Sequence, residues 1–471
     1  RPRSVQVKQE WTKRWKQFLS GSGLKTLVFK ALNLNFLNSL LPLATSLLIF
    51  IAFDRSLQGC YRTLLALLAI CELFLSGLDG SILRFWSSQE VPKEDKQAII
   101  QLVFFIKSGT MLLFLGSAFF LQQFPSVERF LLSEEALAIG YQPYFYLALG
   151  FTFLSSLTLT VSKCFIASRL FGYIFRLTLI REFLTVLVVL FLITLNYSFL
   201  SVLIAQFLIY LGLLFFNIRY AWKQKEFFYL HTQKYPISTY QRIYQNYLRN
   251  YSLPISFTSV LTYAKNNLPL VLLGKSKLHV VADYHFLRNT FLKIHKLSSG
   301  YLAYLLPKFV EMYEKDPRHF SRRFNQLFWA SQLFRLMIWI AVCFFGIPFL
   351  LLFKMDSSYQ FILILFSLEL MAADIATFNA EVIHLKTDTR SLFYASFLRA
   401  MIEVPCILVL TQKLGGVGAS VTLLISRLVE CGVLLRYASP LKVLTHQRKI
   451  FVLLWIFTLF YLYLHRGKFG F

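Results

Sequence analysis

The sequence predicts an all-α protein that crosses a membrane many times, and three observations lead to this prediction. Hydrophobic residues make up 56% of the 471 residues, and Phe alone occurs 50 times, which excludes an ordinary soluble protein. Apolar runs of roughly 20 residues, the length that a helix needs to cross a bilayer, recur along the chain. Lys and Arg are concentrated in alternate connections between these runs, as the positive-inside rule describes.

The apolar runs define twelve predicted spans. Residues 1–23 form a polar, basic lead-in without an apolar core of signal-peptide length. A first lobe over 24–221 contains six spans, at 31–53, 60–83, 98–121, 139–165, 172–195 and 197–220. A connector at 222–248 leads to a second lobe over 249–437, with spans at 252–273, 279–306, 324–353, 358–384, 391–412 and 416–437. The tail, 438–471, contains a candidate thirteenth membrane helix at 450–464, which is short for a spanning segment.

The two lobes are predicted to be repeats of one another. One constant shift aligns residues of the two halves without gaps: Tyr61 with Tyr284, Ser76 with Ser299, Gly77 with Gly300, Leu83 with Leu306, and Arg176 with Arg399. Parallel repeats of this kind are typical of membrane transporters. We therefore expect two six-helix lobes that superpose by rotation about an axis along the membrane normal.

The distribution of charge predicts the orientation. The lead-in, the connector and the loops on their side carry most of the Lys and Arg, so that side is expected to be cytoplasmic. The opposite loops are too small to hold a folded catalytic domain. Most of the net charge of +26 therefore lies in loops, and we expect no nucleic-acid partner. The six Cys are scattered without CxxC spacing, so neither a disulfide framework nor a metal site is expected.

The eighth span, 279–306, is unusual because it carries several charges at membrane depth. On a helical wheel Tyr284, Arg288, His295 and Ser299 share one stripe, and leucines occupy much of the opposite arc. Charge in a span is tolerated mainly where it faces a bundle interior or a wet cavity. The excess of cations predicts a pathway for an anion, and the alternative is an amphipathic helix that lies on anionic lipid.

Further cations within the spans extend this candidate anion site. Four of them have no acid within one turn on their own helix: Lys107, Lys265, Arg288 and Arg335. Arg62, Arg176 and Arg399 complete the candidate set, which would line a cationic cavity for an anion. Local ion pairs are the competing interpretation for Arg399 with Glu403 and for Arg427 with Glu430. Arg181 and Glu182 are adjacent and are expected to point apart, each toward a partner elsewhere.

Acidic residues within the spans allow two interpretations. One helical face of the tenth span carries a polar stripe: Ser367, Asp374, Thr377, Glu381 and His384. Intramembrane carboxylates near a His can bind protons or cations, and they can equally serve as counter-ions to the arginines. Glu72 in the second span is a further candidate for either role. The sequence leaves both interpretations open.

Enzymatic chemistry is not indicated. The chain contains no GxxxxGK[ST], no HExxH and no GxSxG sequence, so we expect that it is not an enzyme. The glycine run Gly415–Gly418 has no flanking strand and is predicted to form a tight turn between the last two spans of the second lobe.

Three short patterns resemble a known family. They are Gly77–Phe85 at the end of the second span, Leu273–Gly274 followed by Tyr284 and Leu306–Pro307, and Gly415–Ser420. Together they resemble the multidrug/oligosaccharidyl-lipid/polysaccharide (MOP) superfamily, most closely its Wzx-type flippases of polysaccharide (O-antigen) repeat units. The resemblance covers about residues 24–437. It departs from the family at Asn266–Asn267, where an acid is often found, and this weakens any assignment of a coupling ion there.

The resemblance implies a fold and a function. It implies two six-helix lobes around a central cavity that opens alternately to the two sides of the cell inner membrane. Its substrate would be an undecaprenyl-diphosphate-linked oligosaccharide, moved from the cytoplasmic to the periplasmic leaflet with its diphosphate held by the candidate cations. No cofactor is implied beyond proton or sodium coupling. The implied partners are membrane lipids, a polysaccharide polymerase and a chain-length regulator, and the implied functional state is a monomer.

Two alternative functions remain open at this point. Within the superfamily, the protein could flip a lipid-linked peptidoglycan precursor or exchange drugs for cations, although an exporter of organic cations should line its cavity with acids. Outside it, a polysaccharide polymerase or an O-antigen ligase would need a sizeable outer loop with catalytic residues. The outer loop 122–138 is short.

Overall fold

The structure is a computed structural model in which every regular element of the described residues is helical. The described residues are 39–72, 75, 78–79, 81–82, 85, 91–121, 123–167, 171–223, 235–249, 263, 266–385, 389–438, 452–456, 458 and 461. Contacts divide the chain into two compact units. Unit 1 comprises Arg1–Leu43, Arg288–Arg399 and Ser420–Phe471, and unit 2 comprises Ala44–Leu287 and Ala400–Ala419. These units do not coincide with the predicted lobes at 24–221 and 249–437. That the lobes are repeats of one another therefore stays a prediction.

Unit 2 is built mainly from the helices of the first half of the chain. They are α1 (Ser39–Ala52), α2 (Arg55–Leu68), α3 (Lys93–Leu121), α4 (Pro125–Leu131), α5 (Glu134–Ile139), α6 (Gln142–Ala167), α7 (Phe171–Thr194), α8 (Phe199–Lys223), α9 (Ile237–Ile243) and α10 (266–274). A 3-10 turn, Ala69–Glu72, follows α2, and a π-helix, Tyr244–Arg249, continues α9. The beginning of α11 (Leu278–Lys315) also belongs to this unit.

Unit 1 is built around one deeply buried helix. It contains the rest of α11, then α12 (Pro317–Leu352), α13 (Tyr359–Leu385) and the two ends of α14 (Thr389–Ala438). Within its most apolar window 89% of α13 is buried, compared with 17% of α12. Helix α13 is therefore the core of unit 1, and its polar side chains must find partners inside the protein.

The ends of these helices carry the chemistry that helix termini require. Asp54 precedes α2 and accepts hydrogen bonds from the backbone N–H groups of Ser56 at 2.7 Å and Leu57 at 3.1 Å. Asp316 caps α12 in the same way, with Pro317 at the first helical position. These caps satisfy amide donors that a helix leaves without an internal partner.

The glycine run in α14 interrupts that helix, which confirms the predicted turn. Gly415 has φ 58° and ψ −137°, a conformation that lies outside the helical region and that an L side chain rarely adopts. A Cβ on Gly418 would collide with the backbone carbonyl of Leu410, so the chain folds back closely on itself there. The break thus separates two straight helical segments within α14.

Contacts at the helix ends in unit 2 show which connections between helices lie next to each other. At one end Arg55 forms an ion pair with Asp283 at 3.2 Å, and Glu135 accepts a hydrogen bond from the Leu278 N–H at 3.0 Å. At another, Asp95 accepts hydrogen bonds from Arg242 at 2.7 Å and Tyr247 at 3.1 Å. The predicted outer connections therefore meet one another, and the connector meets the first turn of α3.

Seven of the described helices are long and apolar enough to cross a membrane. This agrees with the predicted polytopic membrane protein, although the count of twelve spans stays a prediction. Part of the tail is also described, because 452–456 is helical and Tyr461 stacks on Phe361 of α13 at 5.2 Å. The membrane helix at 450–464 stays a prediction as well.

Candidate functional site

Lys107 lies in a sealed pocket of unit 2 in which its charge is matched. Its ammonium group donates to Asp79 at 2.6 Å, to the Thr160 hydroxyl at 2.9 Å and to the Ser156 carbonyl at 3.3 Å. Thr160 also donates to the second carboxylate oxygen of Asp79, at 2.8 Å. All three donors of the ammonium group are used, and only 1% of the Lys107 side chain is exposed. Its acidic partner comes from a different segment of the chain.

Arg335 is sealed in a comparable way in unit 1. Its guanidinium contacts Asp374 of α13 at 3.4 Å and the His295 ring nitrogen Nδ1 at 2.9 Å. Neither Arg335 nor Asp374 has any exposed side-chain area. Gln332 donates to the other oxygen of Asp374 at 3.2 Å. Asp374 thus serves as a counter-ion in this arrangement, one of the two roles that the sequence left open for it.

Arg288 and Arg399 belong to a larger assembly in unit 1, which we name the arginine–glutamate network. It consists of Arg288, Glu369, Arg427, Glu430 and Arg399. The guanidinium of Arg288 binds both carboxylate oxygens of Glu369, and it lies 5.2 Å above the ring of Phe366. Glu369 also approaches Arg427 at 3.7 Å. Glu430 binds Arg427 at 2.5 Å and Arg399 at 2.7 Å, which confirms the predicted local pair of Arg427 with Glu430.

The network alternates in charge along its length, and each carboxylate bridges two arginines. Helix α11 supplies one member, α13 supplies one, and α14 supplies three from both sides of the Gly415 break. The sulfhydryl of Cys431 donates to the carbonyl of Ala372 at 2.8 Å, which holds α14 against α13 beside the network. With three guanidinium groups and two carboxylates, the network carries an excess of one positive charge.

Arg62 has different surroundings. It is half-buried in unit 2, where it interacts electrostatically with Tyr61, Tyr210 and His285. Among the described residues no carboxylate forms an ion pair with it. We name these four residues the Arg62 cluster. Its aromatic and imidazole side chains do not cancel the positive charge, so the cluster offers an anion an arginine that no described carboxylate compensates.

Arg181 corrects one sequence-based expectation beside this cluster. Its guanidinium binds the carboxylate of the adjacent Glu182, through Nε at 3.0 Å and through Nη2, so the prediction that the two side chains point apart is wrong. The guanidinium also lies over the ring of Tyr210, 4.7 Å from its centroid. The long Arg side chain can fold back to its neighbour, because few other acids are available in an apolar helix.

The remaining candidate residues are not brought together by the described structure. Arg176 is exposed on α7, and no ion pair joins it to another described residue. Lys265 and the side chains of Glu72 and His384 lie outside the described part of the chain. Glu381 has a buried oxygen, Oε2, that meets no hydrogen-bond donor among the described residues. It therefore remains a candidate for ion binding.

Sequence reasoning missed how the acids connect the network. The sequence pairs Glu430 only with Arg427, and it offers no partner for Glu369, because Glu369 and Arg288 lie on different helices. A usable signal did exist: Arg288 and Glu369 each lack an opposite charge on their own helix within one turn, and such residues can be matched between helices.

Burial of α11 also decides between the two interpretations of its charged stripe. Val281, Ala282, Asp283, Phe286 and Arg288 are all buried, and at 100° per residue they point in different directions around the helix. A helix lying on a lipid surface would leave its polar face exposed. This part of α11 is instead surrounded by protein.

Solved structures share this fold. A lipid II flippase, MurJ, in an inward closed conformation aligns with a TM-score of 0.70 and 14% identity over 93% of each chain. A multidrug resistance transporter of the MATE family and the MOP superfamily, in an inward-facing conformation, aligns with a TM-score of 0.63 and 12% identity over 88% of this chain and 99% of that one. A MATE transporter from Vibrio cholerae aligns with a TM-score of 0.57 and 15% identity over 89% and 97%.

No family model and no curated protein matches the sequence. The chain shares the all-α fold of these solved structures, which confirms the predicted all-α polytopic class. These structural neighbours are transporters and flippases rather than enzymes.

Proposed function

We propose that this protein is a flippase of undecaprenyl-diphosphate-linked oligosaccharide repeat units, of the Wzx type. It moves its substrate from the cytoplasmic to the periplasmic leaflet of the inner membrane by alternating access. The observation that carries the proposal is Arg62, a half-buried guanidinium with no carboxylate partner among the described residues. A charge in such a place is expensive unless a partner compensates it, and the substrate is the natural source of that partner.

The diphosphate is the part of the substrate that fits Arg62. A guanidinium binds two oxygens of a phosphate at once, and such charge-assisted pairs are among the strongest hydrogen bonds in proteins. Tyr61 and Tyr210 add two phenol groups beside it. The shared fold with a lipid II flippase supports a lipid-linked substrate rather than a soluble anion.

A second candidate function is flipping of a lipid-linked peptidoglycan precursor. The similarity to the lipid II flippase favours it, and a diphosphate would bind the same arginine. Export of organic cations is disfavoured, because a cationic site repels them. A polysaccharide polymerase or ligase is disfavoured by the transporter fold.

Energy coupling, orientation and partners complete the proposal. Glu381 is the better candidate for proton or sodium binding, because Asp374 is already engaged by Arg335.

The basic connector faces the cytoplasm, so a cysteine placed at Gln241 should react with an impermeant maleimide only after the cells are opened. The protein works as a monomer beside a polysaccharide polymerase and a chain-length regulator, and it needs no cofactor.

Reconstitution into liposomes tests the function. Fluorescent undecaprenyl-diphosphate oligosaccharide in the inner leaflet should become accessible to an external quencher faster in proteoliposomes than in protein-free vesicles. Arg62→Ala should slow this by about 30-fold or more, the lower end of the roughly 2–5 kcal/mol for a desolvated charge contact.

Lipid II in parallel vesicles separates the two candidates. Faster movement of lipid II than of the oligosaccharide lipid would favour the second function. Movement of neither lipid would overturn both.

A further inference from the structure

The arginine–glutamate network differs from the sealed ion pairs in one respect that bears on transport. Arg335 and Asp374 have no exposed side-chain area, whereas Arg427 and Glu430 are each 13% exposed. Arg288 and Arg399 retain 9% and 8%. The edge of the network is therefore partly exposed in this structure, whereas Arg335 is not.

The connectivity of the network also differs from that of a simple pair. Glu369 contacts both Arg288 and Arg427, and Glu430 contacts both Arg427 and Arg399. If one arginine leaves a carboxylate, the carboxylate keeps a second arginine and is not stranded as a buried charge. Asp374, in contrast, would be left with neutral partners such as Gln332 and Ser331 if Arg335 left it, because no second arginine among the described residues forms an ion pair with it.

Carboxylate and phosphate compete for the same atoms of an arginine. Both present two oxygens to the parallel N–H groups of the guanidinium, so one can replace the other without a change in the arginine. Glu369 already occupies Arg288 in this bidentate manner. The geometry is therefore that of a phosphate site filled by an internal carboxylate.

We propose that Glu369 and Glu430 are internal substitutes for the substrate's phosphate groups. While the transporter is empty, these two carboxylates bind Arg288, Arg427 and Arg399. The proposal rests on the proposed function and assigns a phosphate-binding station to unit 1. When the diphosphate arrives, its oxygens take the place of a carboxylate, and that carboxylate stays with the next arginine. The exchange keeps every guanidinium compensated, and it weakens diphosphate binding enough for release.

Removing one substitute should therefore tighten binding and slow turnover. The test uses the full chain in nanodiscs and measures its affinity for farnesyl diphosphate, a soluble isoprenoid diphosphate, by calorimetry. Glu369→Gln should bind this probe about tenfold more tightly than the wild type, because an amide does not compete for the guanidinium as a carboxylate does. The same variant should flip the lipid-linked substrate more slowly, whereas Arg288→Ala should bind the probe more weakly.

Asp374→Asn is the matched control on the same helix. It also removes a carboxylate from an arginine, but the probe cannot reach Arg335, so its affinity should not rise. If Glu369→Gln does not fold, Glu430→Gln carries the same test, because Glu369 still compensates Arg288 and Arg427 there.

The outcomes separate this inference from the proposed function. Unchanged or weaker binding by a folded Glu369→Gln or Glu430→Gln protein overturns the inference, as does an equal gain in Asp374→Asn. If the wild type binds the probe and loses it in Arg62→Ala but not in Arg288→Ala, the inference fails while the proposed function stands. If the wild type neither binds the probe nor flips the lipid, both fail.

Discussion

The Arg62 cluster and the arginine–glutamate network show two ways of placing a guanidinium at membrane depth. In the network every arginine meets a carboxylate, and the distances are 2.5 Å for Arg427 and 2.7 Å for Arg399 to Glu430. In the cluster Arg62 meets tyrosines and an imidazole, and no described carboxylate compensates it. Each arginine of the network has a carboxylate partner within the protein, whereas the described part of the chain supplies none for Arg62 and leaves it able to bind an external anion.

This difference means that a cation in a span does not by itself indicate a binding site. Lys107 and Arg335 satisfied every sequence criterion for anion binding, yet each is sealed against an acid from another segment. Whether a counter-ion is present, and whether solvent or substrate can reach the group, decide between a structural and a functional role. Three predictions test this distinction, in order of decreasing expected effect.

The largest effect should come from breaking a sealed pair. Lys107→Met leaves the Asp79 carboxylate buried without its cation, and breaking a buried pair in this way costs roughly 3–5 kcal/mol of stability. The apparent melting temperature of the purified protein should fall by several degrees. Arg62→Met is the matched control and should lose much less, because it strands no carboxylate among the described residues. Equal losses in the two variants would contradict the distinction between them.

An intermediate effect is expected within the network. Arg288→Met, Glu369→Gln and the double variant form a thermodynamic cycle, and residues that share an ion-pair network couple by about 0.5–3 kcal/mol. We expect a favourable coupling in that range from the apparent stabilities, measured without substrate. The same cycle for Arg62 with Glu369 is the control and should give a value near zero, since Arg62 forms no ion pair with a described carboxylate. No coupling between Arg288 and Glu369 would remove the basis for treating them as partners.

The smallest effect should come from Arg55. Its side chain is 26% exposed, and its ion pair with Asp283 at 3.2 Å is partly screened by solvent. Asp283 is itself only 4% exposed, but water that enters beside Arg55 can take the place of the guanidinium, so we expect a contribution near the roughly 0–1 kcal/mol of exposed pairs. Arg55→Ala should therefore change the melting temperature only slightly, and raising the salt concentration should reduce the difference further. A loss as large as that of Lys107→Met would show that exposure is a poor guide to these ion pairs.

Local features were the most predictable part of the molecule. The pair of Arg427 with Glu430 and the break at Gly415 follow from residues that are close in sequence, and both are present. The pair of Arg181 with Glu182 shows the limit of this reasoning, because a long side chain reached a neighbour that ideal helix geometry places elsewhere. Lys107 with Asp79 and Arg288 with Glu369 could not be paired with confidence from the chain alone, since each joins two separate segments.

The sequence by itself determined the all-helical membrane fold, the approximate positions of many helices and the candidate cations. These properties follow from hydrophobicity and charge, which accumulate residue by residue along a segment. Only the tertiary structure decided which cations a described carboxylate compensates and which, like Arg62, none of the described carboxylates compensates. Ion pairing depends on the rotation and register of helices that are distant in sequence, and a shift of one residue turns a side chain by about 100° around its helix.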